Sequence, residues 1–156
     1  ARHGRTEEAF RILATLEAEG RLSFAELGER VGLSKSPCWK RVQALEEAGV
    51  ITGYRAVIDP APLGAGILAF AHITIAFEQH EAFERAVAAH PLVLECHATV
   101  GEADYMLQLL TRDLAALDDF LRHELWRVPG VRRFTTTLTM RTIKSHGSIM
   151  ANVEAG

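Results

Sequence analysis

The sequence is poor in cysteine and has no long apolar run, and each shortage excludes a class of protein. Its two cysteines, Cys38 and Cys96, lie far apart without a CxxC spacing, which excludes a disulfide-stapled secreted scaffold and predicts reduced, buried thiols. No apolar run reaches the roughly 18 residues that are needed to span a bilayer, and the N-terminus shows no signal-peptide pattern. We therefore expect a cytoplasmic protein without a membrane partner.

The chain also lacks the overall positive charge of many nucleic-acid-binding proteins, because its formal net charge is -3. Its positive charge is instead concentrated locally. Residues 30–45 contain Arg30, Lys35, Lys40 and Arg41 and no acidic residue. A short basic segment of this kind is typical of a small DNA-contacting element.

Two amphipathic helices are predicted in the first 32 residues. Apolar residues recur at helical spacing from about Thr6 to Glu19, and Gly20 ends the run. Ser23 is expected to cap a second helix because Glu26 follows three residues later, which is a capping box. Gly32 is expected to break that helix.

A third helix is predicted to begin after Ser34, with Pro37 in its first turn, where no intrahelical N–H is lost. Gly49 is its expected stop. The stripe that would face the core consists of Cys38, Val42 and Leu45. Three helices, with a glycine-containing turn between the second and the third, predict a helix-turn-helix domain over residues 1–52.

The pattern changes to strands after the third helix. Residues 53–65 combine strand-like residues with a proline-rich turn, which predicts a linker with a hinge strand. Residues 66–144 alternate in the order βαββαβ, which is the order of a ferredoxin-like domain. Strands are predicted at 67–77, 92–100, 105–111 and 131–142, and helices at 81–89 and 113–125. The expected fold class is α+β, with residues 145–156 as a loosely held tail.

Several segments resemble the leucine-responsive/AsnC family of transcription regulators. The first half resembles the family's DNA-binding domain over residues 20–27, 31–34, 41–46 and 49–51. In the second half, Glu95-Cys96-His97 followed by the Gly-x-x-Asp-Tyr of residues 101–105 is similar to the family's sensory-domain signature. The resemblance covers about residues 6–144, and two moderately specific motifs in the right order make it strong.

The resemblance implies a winged helix-turn-helix joined to a βαββαβ domain. It also implies that these domains pair their sheets into homodimers, which often assemble further into octamers. A small-molecule effector, an amino acid in this family, would bind in a cleft between dimers near the Gly-x-x-Asp loop. The expected partners are therefore double-stranded DNA, the effector and further copies of the chain.

If the predicted stripe faces the core, the third helix turns a polar surface outward. Lysines on that surface can neutralise phosphates, serines near the helix N-terminus can donate to phosphates, and Gln43 can read a base edge. Trp39 could contact a thymine methyl group or pack against the first two helices. Arg41 could pair with Glu29 or Glu46, or touch DNA. The predicted DNA-binding residues are Ser34, Lys35, Ser36, Pro37, Trp39, Lys40 and Gln43.

The loop at residues 101–104 is the candidate effector site. Gly101 would let backbone amides approach a ligand carboxylate, and Asp104 could accept hydrogen bonds from a ligand ammonium. The alternative is a plain hairpin turn in which Asp104 bonds to its own backbone. Strand alternation allows only part of the threonine run 135–137 to face a cleft. The predicted effector-binding residues are Thr99, Val100, Gly101, Asp104, Tyr105, Thr135 and Thr137.

Two other functions remain to be considered. No two histidines have a metal-ligand spacing and no catalytic signature occurs, so we predict no catalytic residue, metal or cofactor. A few proteins with the same combination of two domains are tetrapyrrole decarboxylases, and the basic third helix argues against that activity here. An oligomeric sensor that acts through a protein partner is the other alternative. Residues 36–39, 124–126 and 135–137 further resemble regulators of proline utilisation.

Overall fold

The structure, a computed structural model, describes residues 6–156 and consists of two compact units. One unit contains the chain up to Val57 together with Lys144–Gly156, and the other is Ile58–Ile143. The helices, in chain order, are α1 (Glu7–Ala18), α2 (Phe24–Val31), α3 (Lys35–Glu47), α4 (His80–Ala89), α5 (Leu114–Asp119) and α6 (Ile149–Ala155). The strands are β1 (Ile67–Ile75), β2 (Val93–Ala98), β3 (Tyr105–Thr111) and β4 (Val131–Leu138).

The first unit begins with the predicted three helices. Thr6 caps α1, and its Oγ1 accepts from the Ala9 N–H at 3.1 Å. The capping box of α2 is confirmed, because the Ser23 Oγ accepts from the Glu26 N–H at 3.1 Å and the Glu26 carboxylate accepts from the Ser23 N–H at 3.4 Å. Gly32 ends α2 in the left-handed conformation at φ 77°.

The third helix begins and ends where the sequence predicts, but its N-cap lacks the expected side-chain bond. Gly49, at φ 75°, donates to the Glu46 carbonyl while Val50 donates to the Leu45 carbonyl, and these two bonds close the end of α3. Ser34 occupies the N-cap position, but its side chain makes no capping hydrogen bond in the described chain. The buried core of this unit consists of Ala9, Ile12, Leu27, Val31, Cys38, Val42 and Leu45.

The predicted hinge strand does not form within the described chain. No strand forms between α3 and β1, where the regular structure is a 3₁₀ turn at Ala61–Leu63. Val57 and Ile58 are 79% and 64% exposed. Strand-like residues alone do not make a strand, because each strand needs a neighbouring strand for its backbone hydrogen bonds.

The second unit confirms the ferredoxin-like prediction. Its sheet has the order β2-β3-β1-β4, and all neighbouring strands are antiparallel. The central strand β1 therefore pairs on both sides, with Ile73 opposite Tyr105 on β3 and Phe134 on β4. Helices cover one face, and the buried core between them and the sheet includes Ala69, Ala71, Ile73, Leu107, Leu109, Phe83, Val87, Leu117, Phe120 and Leu125.

Some element ends differ from the prediction. β1 stops at Ile75, where its register with β4 shifts, and β4 stops at Leu138. Asp113 caps α5 as expected, because its Oδ1 accepts from the Ala116 N–H at 2.7 Å. The helix does not run unbroken to residue 125, since a π turn follows at Phe120–Glu124 and a 3₁₀ turn at Leu125–Arg127.

The predicted loose tail is also wrong, because residues 149–155 form α6 and belong to the first unit. The Ser148 Oγ caps this helix by accepting from the Ala151 N–H at 3.0 Å. The contact that holds α6 comes from Glu17 on α1, a residue too distant in sequence for local pattern reading. Among residues 6–156, no helix has the length and apolar content that crossing a membrane requires.

Candidate DNA-reading helix and effector loop

The α3 helix separates buried apolar residues from exposed polar ones, as the sequence predicts. Cys38, Val42 and Leu45 are 0%, 1% and 4% exposed. Trp39 is 46% exposed, so its indole does not pack inside the helical core. Gln43 is half-buried at the edge of the outward surface. The exposed members of the predicted DNA-binding set are Ser34, Lys35, Ser36, Pro37, Trp39 and Lys40.

The basic residues near α3 divide into paired and unpaired groups. The Arg41 Nε lies 2.6 Å from the Glu8 Oε1 on α1, which corrects the expectation of Glu29 or Glu46 as its partner. Arg30 is likewise paired, with Glu19. Lys35 and Lys40 make no ion pair with any residue of the described chain. Their ammonium groups are therefore available to phosphates, whereas the two arginines already have counterions.

Sequence reasoning missed Gly28, which sets the distance between α2 and α3. The Gly28 carbonyl accepts from the Leu33 N–H at 2.8 Å. A Cβ atom at position 28 would lie 2.4 Å from the Leu33 carbonyl oxygen, a backbone atom that cannot move aside cheaply. The signal was present, because a glycine inside a helix costs about 1 kcal/mol relative to alanine and needs a packing reason.

The effector loop joins β2 to β3 and is held by its own hydrogen bonds. The Thr99 N–H donates to the Asp104 carbonyl at 2.9 Å, and the Thr99 hydroxyl donates to the Ala103 carbonyl at 2.9 Å. Gly101 has φ 152°, and nothing lies within 4 Å of its Cβ direction. The Val100 side chain is fully exposed. The loop thus presents an open backbone and one apolar side chain to its surroundings.

Asp104 ties this loop to β1. Its N–H donates to the Ile73 carbonyl at 2.9 Å, and its Oδ2 accepts from the Ile75 N–H at 2.9 Å. The bond therefore reaches the neighbouring strand, where the β1–β4 register shifts, and does not close the simple turn of the alternative interpretation. Within residues 6–156, its Oδ1 makes no hydrogen bond.

Tyr105 does not lie with the other predicted effector residues, which is a correction. It is 7% exposed, its ring centroid lies 4.6 Å from that of Phe83, and its hydroxyl donates to Glu84 on α4. Burial, reinforced by the Glu84 hydrogen bond, raises the pKa of Tyr105 to about 12, so the phenol stays neutral. Its phase on β3 is ambiguous in the sequence because each face of that strand carries apolar residues and one polar residue.

Thr135 and Thr137 lie on the sheet face opposite the helices of residues 58–143, which we call the open face. They pair with His72 and Phe70 of β1. The remaining members of the open face, by register and alternation, are Leu68, Thr74, Glu95, His97, Met106, Gln108, Leu110 and Arg133. Thr136 points to the helix-covered face instead, and its buried Oγ1 has no hydrogen-bond partner in the described chain.

One chain therefore brings together only part of the predicted effector set. The loop at 99–104 forms one group and the two open-face threonines form another. β1 lies between β3 and β4, so the two groups are separated by at least two strand spacings, about 10 Å.

A three-helix unit with an exposed basic surface on its third helix, joined to a ferredoxin-like domain, is the architecture of a DNA-binding regulator with a ligand-binding domain. Comparison with family models agrees in both parts. Residues 9–52 match a winged helix-turn-helix DNA-binding family, and residues 68–149 match the Lrp/AsnC ligand binding domain.

Relatives and solved structures give the same result over nearly the whole chain. The chain is 40% identical over 137 residues to the leucine-responsive regulatory protein of Rhizobium meliloti, covering 86% of this chain and 88% of the relative. The Escherichia coli protein of the same name is 38% identical over 142 residues, with 89% and 87% covered. A Neisseria meningitidis transcriptional regulator, solved as a complex with L-Met, is 36% identical with a TM-score of 0.86, covering 90% of this chain and 92% of that one. The chain belongs to the Lrp/AsnC family of transcription regulators.

Proposed function

We propose that α3 enters the major groove of an operator and reads it with the predicted set, residues 34–37, 39, 40 and 43. The observation that carries this assignment is the division of α3 into a buried stripe and an exposed surface, whose two lysines have no ion-pair partner among residues 6–156. The lysines supply salt-sensitive phosphate contacts. Gln43 and Trp39 supply base contacts, Gln43 by hydrogen bonding and Trp39 by apolar contact with thymine methyl groups.

A second copy of the chain covers the open face in this proposal. Phe70 and Met106 lie at its centre, and its charged residues Glu95 and Arg133 lie on the two edge strands. An apolar centre with a charged border is the usual composition of a protein interface. The homodimer places two copies of α3 on two half-sites, and dimers assemble further into octamers.

The effector in this proposal is an amino acid, bound where the loop at 99–104 of one dimer meets another dimer. Gly101 leaves backbone amides open to a carboxylate, and the Asp104 Oδ1 remains available for an ammonium. The L-Met complex of the Neisseria regulator supports an amino-acid ligand. L-Methionine, L-leucine and L-proline are the first candidates, the last because of the resemblance to proline-utilisation regulators.

The proposal includes regulation without catalysis, in the cytoplasm. Its functional division is a DNA-binding domain at 1–52, a linker at 53–65 and a sensing and assembly domain at 66–144. Ligand acts by binding two assemblies with different affinity and so changing the spacing of the reading helices.

Two measurements test the proposed function directly. A gel-shift titration on the region upstream of the chain's own gene should show binding that weakens as salt rises. A thermal-shift screen against the twenty amino acids should identify a ligand, because a binder stabilises the chain by RT ln(1 + [L]/Kd). Absence of salt-sensitive DNA binding would overturn the assignment of α3, and absence of any thermal shift would overturn the effector class.

A further inference from the structure

The C-terminal helix α6 is attached to α1 through the side chain of Glu17. The Glu17 Oε1 accepts from the Ser148 hydroxyl at 2.6 Å, and its Oε2 accepts from the Ile149 N–H at 2.8 Å. The Met150 N–H lies 3.5 Å from Oε1. The two N–H groups belong to the first turn of α6, where backbone N–H groups have no acceptor within the helix. A carboxylate from another helix therefore completes the start of α6.

The α6 helix depends on this attachment for its stability. A helix of seven residues is too short to be stable alone in water. Ile149 and Val153 are 69% and 51% exposed, so apolar burial contributes little to holding it. The hydrogen bond from Ser148, with those from the backbone of Ile149 and Met150, lowers the pKa of Glu17 below its ordinary value. The ionised carboxylate is thus the form that holds the helix.

The path of the chain gives α6 a second role. After β4 ends at Leu138, ten residues lead to α6 and include a turn in which His146 adopts φ 52°, a left-handed conformation that is uncommon outside glycine. The chain leaves the first unit after Val57 and returns to it at Lys144. Two segments, and not one linker, therefore join the DNA-binding unit to the sensing unit, as long as α6 stays attached.

We propose that α6 is a detachable strap and that Glu17 is a positioning residue for DNA binding. With the strap closed, each helix-turn-helix is tethered at two points and has less orientational freedom to lose when a dimer engages two half-sites. Reduced loss of freedom raises affinity for DNA that both reading helices contact. Opening the strap leaves each α3 intact, so contact with a single half-site is unaffected. The inference rests on the proposed function, including the dimer.

The test compares two substitutions in the full chain and one shortened chain with the wild type. Glu17→Ala removes the acceptor, and a chain ending at Lys144 removes α6 itself. Glu7→Ala is the matched control, since Glu7 is an exposed carboxylate on the same helix and makes no ion pair or side-chain hydrogen bond within residues 6–156. The DNA probes are a duplex selected from a randomised pool by the wild-type chain, and the same duplex with one half-site scrambled.

Fluorescence anisotropy at fixed salt should show that Glu17→Ala and the shortened chain bind the two-site duplex roughly five- to tenfold more weakly. Both should bind the one-site duplex within about twofold of the wild type, and Glu7→Ala should match the wild type on both. Hydrogen exchange should show that Glu17→Ala loses protection at the Asn152 and Gly156 amides, which donate within and after α6.

Equal binding of the two-site duplex by the wild type and Glu17→Ala would overturn the strap. Equal weakening on both duplexes would also overturn it, because that result means a damaged helix-turn-helix. A changed particle mass by light scattering would overturn it as well, since α6 would then act in assembly. If the wild type selects no duplex, the proposed function fails, and that outcome is recognisable without any variant.

Discussion

The two candidate sites differ in how widely their residues are spread along the chain. The residues predicted to contact DNA lie within positions 34–43, on a single helix whose phase is fixed by the buried Cys38, Val42 and Leu45. The residues predicted for the effector come from a hairpin loop and an edge strand, and one of them, Tyr105, faces the core. The predicted DNA site therefore lies on one continuous segment, whereas the predicted effector site is divided between two segments of the chain.

The largest expected effect on the predicted DNA site comes from a substitution at Gly28. Gly28→Ala places a Cβ 2.4 Å from the Leu33 carbonyl oxygen, and overpacking against backbone should destabilise the first unit by about 3 kcal/mol or more. Circular dichroism should show loss of helix at a lower temperature, and DNA binding should disappear. The amino-acid thermal shift of the sensing unit should survive, because residues 58–143 form a separate unit.

Gly53→Ala is the control for that substitution. Nothing lies within 4 Å of a Cβ at position 53, and its φ is ordinary, so stability should change by less than about 0.5 kcal/mol. If Gly28→Ala were as stable as Gly53→Ala, the close approach of α2 and α3 would not be needed for the DNA site.

Gly101 tests the other site in the same way. Gly101→Ala strains the backbone at φ 152° although the space is open, so the loop should lose the geometry that presents its amides. Ligand at a hundred times its Kd stabilises a protein by about 2.7 kcal/mol, and we expect most of that stabilisation to vanish in a thermal-shift assay. Affinity for DNA without ligand should stay within about twofold.

Gly66→Ala provides the comparison, since position 66 has open space and an ordinary φ. It should keep the full ligand-induced shift. Should Gly101→Ala keep the shift as well, the loop would not be the effector site, and the prediction for residues 99–104 would be wrong.

These two sites also show what the sequence could predict. The stripe of α3 was predictable because a helix repeats every 3.6 residues, so three apolar positions fix the exposed side. Each face of β3 carries apolar residues and one polar residue, with Met106, Gln108 and Leu110 on one face and Leu107, Leu109 and Thr111 on the other. Alternation there gives no clear phase, so the sequence does not predict the direction of Tyr105.

Contacts between distant parts of the chain were the other limit. The hydrogen bond between Glu17 and Ser148 joins residues 131 positions apart, and the bond from Ile75 to Asp104 joins residues 29 positions apart. A local pattern predicts helix, strand or turn, but not which distant side chain completes it. For this reason the sequence predicts a loose tail where α6 forms, and a turn residue or a ligand contact at Asp104.

Two substitutions on α3 should distinguish phosphate contacts from base contacts. Lys35→Ala should reduce the slope of log affinity against log salt by about one and weaken selected and scrambled duplexes alike. Gln43→Ala should leave the slope unchanged but lose about 1–3 kcal/mol of discrimination between those duplexes. Anisotropy titrations at several salt concentrations measure both quantities.

Arg41→Ala is the matched control on the same helix. Because Arg41 is paired with Glu8, its removal should change the salt slope less than Lys35→Ala does. A larger change for Arg41 than for Lys35 would mean that the ion pair opens on DNA and that the exposed surface of α3 is assigned one position too narrowly.

The smallest expected effect concerns Thr136, which lies between two open-face threonines but points to the opposite face. Its buried Oγ1 has no partner in the described chain, and an unsatisfied buried hydroxyl costs about 1–3 kcal/mol that an apolar group of the same shape does not. Thr136→Val should therefore raise the unfolding temperature of the second unit, with a gain of about 1 kcal/mol.

Thr137→Val, on the open face, should instead leave the monomer's stability unchanged and alter only ligand binding or assembly. If Thr136→Val destabilises the sheet unit, its hydroxyl must have a partner in the working assembly, and the boundary drawn between core and effector residues on β4 would have to move by one position.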